Sequence, residues 1–259
     1  MTAFNPLKPL KTMEPSTIHD RYLAIFKVNL LASAFLIGCA YVIGSRLFLD
    51  DSLLWKIAAG VALATSIGQA AAWRVDDGRG RLWLYGVAAV LAIGAVYVWI
   101  AGISWMLYVS SVQMPSTLRA MCIAVAVTGA LLWMVMTARQ VSAVLGKPGF
   151  IAQAFRDTGS EIQYSLSAMQ QLSTSSNHRG PIARIGQGLV LFATPAVILA
   201  VRIRAPLPAS ADLLLFSTVL LTPCSLFFAG LAVKGILLMI VTPRRLERIR
   251  GKPVTLMDD

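Results

Sequence analysis

Six stretches of the chain are almost continuously apolar over bilayer length: Ala24–Gly44, Leu53–Trp73, Leu82–Val109, Leu118–Ala138, Ile185–Ile203 and Leu213–Val241. At a rise of about 1.5 Å per residue, roughly 20 such residues cross a hydrocarbon core of about 30 Å. No water is available there to satisfy peptide groups, so each run must close its hydrogen bonds internally, as a helix. None shows the every-second-residue alternation of a barrel strand. A soluble fold is disfavoured by charge: 14% of the 259 residues are charged and 57% are hydrophobic, whereas soluble domains carry about 25% charge. The expected fold is all-α, a polytopic membrane protein with six transmembrane helices. The expected organisation is a tail over 1–23, four spans within 24–138, a non-membrane segment over 139–184, two spans within 185–241 and a basic tail over 242–259.

The basic residues orient this arrangement. Lys8, Lys11 and Arg21 precede the first span; Arg74, Arg79 and Arg81 join the second to the third. Arg139, Lys147, Arg156, Arg179 and Arg184 join the fourth to the fifth, and Arg244, Arg245, Arg248, Arg250 and Lys252 end the chain. These are sixteen of the 23 lysines and arginines; the opposite side holds only Arg46, Arg119, Arg202 and Arg204. Positive charge stays in the cytoplasm, so both termini are expected there, with an even number of spans between them. The compact loops point to a bacterial inner membrane. The same residues suit attraction to an anionic inner leaflet. A nucleic-acid partner is not expected, because no aromatics are interleaved for base stacking.

Residues 131–148 and 236–253 share an ending. Leu132/Leu237, Met134/Met239, Thr137/Thr242, Arg139/Arg244 and two Gly-Lys-Pro triplets align without a gap. Each copy lies where an outward-to-inward span reaches the cytoplasm. Gly146 and Gly251 suit a left-handed helix C-cap, and Pro148 and Pro253 stop the helix just beyond. Val141, Val144 and Leu145 in one copy, and Leu246 and Ile249 in the other, form stripes expected to lie at the head-group boundary. Pro243 is placed to bend the second copy. A duplicated hairpin and one physical problem solved twice both account for the match.

In the segment between spans four and five, Ile151, Phe155, Ile162, Leu166 and Met169 fall on one helical face. Polar residues occupy much of the rest, and Gly159 weakens the middle. One bent amphipathic helix or two short ones are expected. They either lie on the leaflet, pack on the bundle, or present a docking face to a partner. Ser173–Pro181 reads as a polar loop.

Helices in lipid associate through close packing and hydrogen bonds. In the second span Gly60, Ala64, Gly68 and Ala72 recur every four residues and make a smooth face, with Ser66 and Gln69 available as bonding groups. Trp83 and Tyr85 mark one interface of the third span, and Trp105 and Tyr108 the other. Thr194-Pro195 and Thr222-Pro223 interrupt the fifth and sixth spans. Paired interruptions mark binding sites in some transporters and plain kinks elsewhere. Lys234 is the one charge well inside a span. It either snorkels to the interface or contacts a counter-ion or substrate.

Catalytic signals are sparse. Cys39, Cys122 and Cys224 all sit within spans and read as small hydrophobes. Leu36-Ile37-Gly38-Cys39 resembles a lipid-attachment box, but the spans that follow argue for a retained first span. Asp76-Asp77-Gly78-Arg79-Gly80-Arg81 reads as a charged tight turn rather than a magnesium site. No catalytic residues, cofactor or metal are therefore expected. The expected role is a non-catalytic multi-pass subunit or scaffold of a larger membrane assembly of secretion, transfer or envelope type. Its partners would be other membrane proteins or copies of itself. The alternative is a small-solute transporter or channel with a site near the interrupted fifth and sixth spans.

Overall fold

The computed structural model describes residues 18–47, 52–103, 116–147, 149–165 and 209–256. Helix α1 spans Ile18–Leu47, α2 Ser52–Asp76 and α3 Leu82–Tyr97, the last running on as a wider π-helical turn over Val98–Ile103. Helix α4 spans Ser116–Leu145, and the short α5 spans Phe150–Ala154. Strands β1 (Phe155–Asp157) and β2 (Ile162–Tyr164) follow. Helix α6 covers Ala209–Gly235, widens over Ile236–Val241, and passes into α7 (Thr242–Arg250) and strand β3 (Val254–Leu256). Among the described residues four helices are long and apolar enough to cross a membrane, over Asp20–Tyr41, Leu82–Ala101, Ile123–Leu145 and Leu221–Arg250. Helix α2 packs between α1 and α3. The span expected at Ile185–Ile203, with Pro195, lies outside the described residues, as do Trp105, Tyr108 and the loop 173–181.

Helix α3 is central: it packs against α1, α2 and α6, and α6 in turn packs against α4. Its apolar sequence carries few groups that need water, which suits a position surrounded by other helices. Glycines on α3 and α6 allow close contacts, backbone to backbone at Gly86 and against side chains at Gly235 and Gly230. A Cβ on Gly86 would stand 2.7 Å from the Met239 Cβ and 2.9 Å from its carbonyl oxygen. One on Gly235 would stand 3.0 Å from Val90, and one on Gly230 2.9 Å from the Trp133 indole nitrogen. Pro243 explains the widened turn before α7. It has no N–H for the carbonyl four residues back, which is that of Met239, and its ring would crowd that carbonyl. The Thr242 hydroxyl instead donates to the Leu237 carbonyl at 2.6 Å.

The largest departure from expectation lies in the segment after α4. Within residues 149–165 the amphipathic segment, expected as one bent helix or two short ones, is not helical past Ala154; the chain makes one short helix and then a β-hairpin. Thr158 donates through both its N–H and its hydroxyl to the Glu161 carbonyl, at 3.0 and 2.9 Å. Gly159 turns at φ 97°, a conformation that costs glycine nothing. Strand β1 pairs antiparallel with β2, Phe155 opposite Tyr164. Strand β2 pairs parallel with β3, Ile162 opposite Val254. Phe155 and Ile162 were expected on a helix face; both are instead inside the sheet's core, 4% and 0% exposed, and Ile151 is half-buried against it. Leu166 and Met169 lie outside the described residues.

The two Gly-Lys-Pro endings also diverge. Gly251 is the left-handed cap, at φ 65°, its N–H donating to the Glu247 carbonyl at 2.8 Å. Gly146 is not left-handed: its N–H continues the helix to the Ser142 carbonyl at 3.0 Å. The left-handed turn falls three residues later, on Gly149 at φ 100°. The stripes beside them turn inward. Val141, Val144, Leu145 and Leu246 join one cluster with Leu82, Leu238, Tyr164 and Leu256. Only Ile249 is left outside, 67% exposed.

Candidate functional site

Four parts of the chain meet at one end of the bundle. The Leu256 N–H donates to the Gly80 carbonyl at 3.1 Å, and Thr255 bridges to Arg81, so β3 also ties to the α2–α3 turn. The start of α1 closes the group: the Tyr22 ring meets that of Tyr85 edge-on, with centroids 5.6 Å apart. The first turn of α1, the α2–α3 turn, the segment after α4 and the residues after α6 therefore share one side. Burial of Ile162, Tyr164, Val254 and Leu256 contributes about 1.5–3 kcal/mol each and makes the sheet continuous with the helix bundle.

Polar contacts fix the rim of the cap that α5, α7 and the three strands form. Asp157 accepts from Lys252 at 2.9 Å and Arg250 at 3.4 Å, and from the Gly159 N–H at 2.9 Å. The Lys252 hydrogen bond, then the Gly159 N–H, hold its carboxyl below the usual aspartate range. Glu247 accepts the Val254 N–H at 3.0 Å. The Arg244 guanidinium lies 4.1 Å from the Trp83 ring centroid, a cation–π contact. Arg245, Arg248, Ile249 and Arg250 remain on the outer surface of α7. Tyr164 is fully buried, and desolvation pushes its phenol up to about 12.

The Asp76–Arg81 turn is built by its first carboxylate. Asp76, 1% exposed, accepts the Gly80 N–H at 3.0 Å and the Arg81 N–H at 2.8 Å. Asp77 follows at φ 48°. Beside the turn an opening of about 490 Å³ is lined by Tyr22, Ala70, Trp73, Arg74, Asp76, Asp77 and Gly78. It joins an apolar slot of about 260 Å³ that runs between α1 and α2, past Leu23, Ile25 and Phe26. Among the described residues no three metal-ligating side chains gather.

A polar ladder crosses the three helices beneath this slot. The Asn29 amide donates to the Gln69 side-chain oxygen at 3.0 Å, and Gln69 donates to the Ala88 carbonyl at 3.1 Å. Ser66 accepts more weakly from Asn29, at 3.5 Å. Sequence reasoning identified Gln69 and Ser66 but missed Asn29; an isolated amide inside an apolar run was the available signal. The small-residue stripe divides. Ala72 is buried and Gly68 meets Leu91, while Gly60 and Ala64 are exposed. The buried face of α2 runs one step aside, through Ala58, Ala62, Thr65, Gln69, Ala72 and Asp76.

The intramembrane candidates do not converge. Pro223 lies within α6, beside the buried Thr222 and Ser225. Those two residues line an apolar cavity of about 270 Å³ shared with the widened end of α3 and with α4. Lys234 is half-buried and engaged within the fold, but it lies roughly 16 Å beyond Pro223 along the helix axis at helical rise. Cys39 and Cys224 are free thiols. Compared with family profiles, with curated proteins and with solved structures, the chain matches none.

Proposed function

We propose that this chain is a non-catalytic multi-pass subunit of a larger assembly in a bacterial inner membrane, with its capped end in the cytoplasm. The observation that carries this reading is the surface of α7. Arg245, Arg248 and Arg250 stand outward with Ile249 between them. The helix beneath them is held by the Gly251 cap, the Arg244–Trp83 contact and the Asp157 bridges. A basic ridge held this firmly loses little entropy when a partner binds. Concentration of positive charge at the capped end supports its cytoplasmic side. Anionic head groups beside that end would help seat the ridge.

Extraction in mild detergent should give a particle well above the mass of one chain. Arg245→Glu with Arg248→Glu should reduce it to the single chain while leaving the protein inserted. A solitary chain under several mild conditions, or a particle indifferent to both substitutions, overturns the proposal.

A second reading, a small-solute transporter, is favoured by the cavity beside Pro223. Its hydroxyl groups and helix interruption resemble the broken-helix sites of transporters. Substrate-specific flux in reconstituted vesicles that is lost in Pro223→Ala would support it; flux unaffected by that change would count against it. Lys234→Met tests the lysine separately.

A further inference from the structure

We infer that the slot between the start of α1 and the end of α2 holds one phospholipid whose headgroup carries a primary amine. The argument begins with shape. The apolar compartment and the charged opening share Tyr22, Ala70 and Trp73, so they form one continuous groove. From Gln69 to Asp76 it follows roughly 10 Å of helix axis. Its deep part offers almost only carbon, because the Gln69 amide is engaged by Asn29 and Ala88. An apolar slot opening on the bilayer is filled by an acyl chain, the solvent of that region. The opening, at the turn beyond the span, then receives that molecule's head.

The charges at the opening select the head. Among the described residues the cation lining it is Arg74, whose planar fork suits a phosphate. Facing it are two carboxylates, Asp76 and Asp77. Asp76 is buried and each of its oxygens accepts one backbone N–H, so the exposed Asp77 carboxylate is the acceptor presented to a headgroup. The Tyr22 hydroxyl is buried beside Asp76 and closes the inner wall of the opening. The opening therefore offers a phosphate donor, Arg74, and an exposed carboxylate acceptor, Asp77. An ammonium group joined to a phosphate satisfies both. A glycerol headgroup brings its negative phosphate to two negative charges and one positive. A choline headgroup supplies positive charge but no N–H to donate.

Trp73, on the wall of both compartments, reports the site. The full chain is reconstituted in vesicles of unbrominated choline lipid containing one lipid brominated on its acyl chains. The brominated lipid bears an ethanolamine, choline or glycerol headgroup at equal mole fraction. Subtracting the Trp73→Phe signal isolates Trp73 from the other tryptophans. The ethanolamine lipid should be enriched beside Trp73 by about tenfold over the other two, as expected for one charge-assisted hydrogen bond. Ala70→Phe, at an exposed position, should fill the slot and abolish the enrichment. Asp77→Asn should reduce it to that of the choline lipid, and asparagine tolerates the positive φ at this position. Equal quenching by all three lipids overturns the inference. So does preference for the glycerol lipid, or an ethanolamine preference that survives Asp77→Asn. Should Ala70→Phe fail to fold, the Asp77→Asn result decides.

Discussion

Gly86 and Met239 touch backbone to backbone: an added Cβ at Gly86 would stand 2.9 Å from the Met239 carbonyl oxygen and 3.0 Å from its carbonyl carbon. A flexible side chain can swing aside, but a main chain held in a helix cannot. The contact joins α3 to the widened turn that Pro243 imposes on α6. Gly86→Ala should therefore destabilise by about 1–3 kcal/mol through overpacking, seen as a lowered unfolding temperature in detergent. Gly60→Ala has open space around it and should be neutral or stabilising by up to about 1 kcal/mol, from helix propensity. Gly68→Ala should fall between them, because it meets only the end of the Leu91 side chain. An equal response at all three positions would contradict this packing.

The Asn29–Gln69–Ala88 ladder should behave as a unit. Gln69→Leu leaves the buried Asn29 amide and the Ala88 carbonyl without their partner. Interhelical hydrogen bonds in lipid contribute about 0.6–2 kcal/mol, so a loss near the upper end is expected. Asn29→Leu combined with Gln69→Leu should cost less than the two single changes added together. Strict additivity in that cycle would show that the two amides act independently.

The helical bundle was legible because a bilayer forces it: run length and backbone satisfaction leave little freedom in residues such as Leu82–Ala101. The cap was not legible, because two periods overlap in its sequence. Ile151, Phe155 and Ile162 recur at helical spacing, yet Phe-Arg-Asp and Ile-Gln-Tyr also alternate about a Thr-Gly-Ser turn. Tertiary pairing decided between them, since β3, some ninety residues away, supplies the partner that makes β2 a strand. The same distance hid the groove. Tyr22 and Asp76 belong to different helices, and neither residue alone signals a site. The small-residue stripe of α2 was displaced by one step, because the amide ladder and Asp76, rather than glycine alone, choose which face turns inward.

Asp157 makes the cap's rim sensitive to acid. Its carboxyl is held below its ordinary value by Lys252 and the Gly159 N–H. A group depressed in the folded state stabilises above its unfolded pKa, about 3.9 for aspartate, and that contribution is lost as pH falls through the folded value. Protection of the Val254 and Ile162 amides from exchange, taken relative to the intrinsic rate at each pH, should therefore be steady from pH 7 to about 5 and fall once pH drops below about 4. Asp157→Asn should remove most of that acid dependence. Because the group is exposed, added salt should weaken the wild-type effect. An Asp157→Asn profile that overlays the wild type would rule out this residue as its source.

Tyr164 gives the opposite sign at the other end of the pH scale. Burial raises its phenol to about 12, while the unfolded chain ionises near 10. The stability this residue contributes is complete below the unfolded value and declines as pH rises toward the folded one. The cap should loosen between about pH 10 and 12, reported by exchange in β2 and by a late tyrosinate absorbance step. The Tyr164 hydroxyl is buried without a hydrogen-bond partner. Tyr164→Phe therefore loses no bond and is relieved of a desolvated oxygen. It should be neutral or slightly stabilising at pH 7, and its late absorbance step should be smaller by one tyrosine than that of the wild type. A loss of more than about 2 kcal/mol on making this change would mean the hydroxyl has a partner worth a charged hydrogen bond, and the cap interior would then have to be polar where it is packed here as apolar.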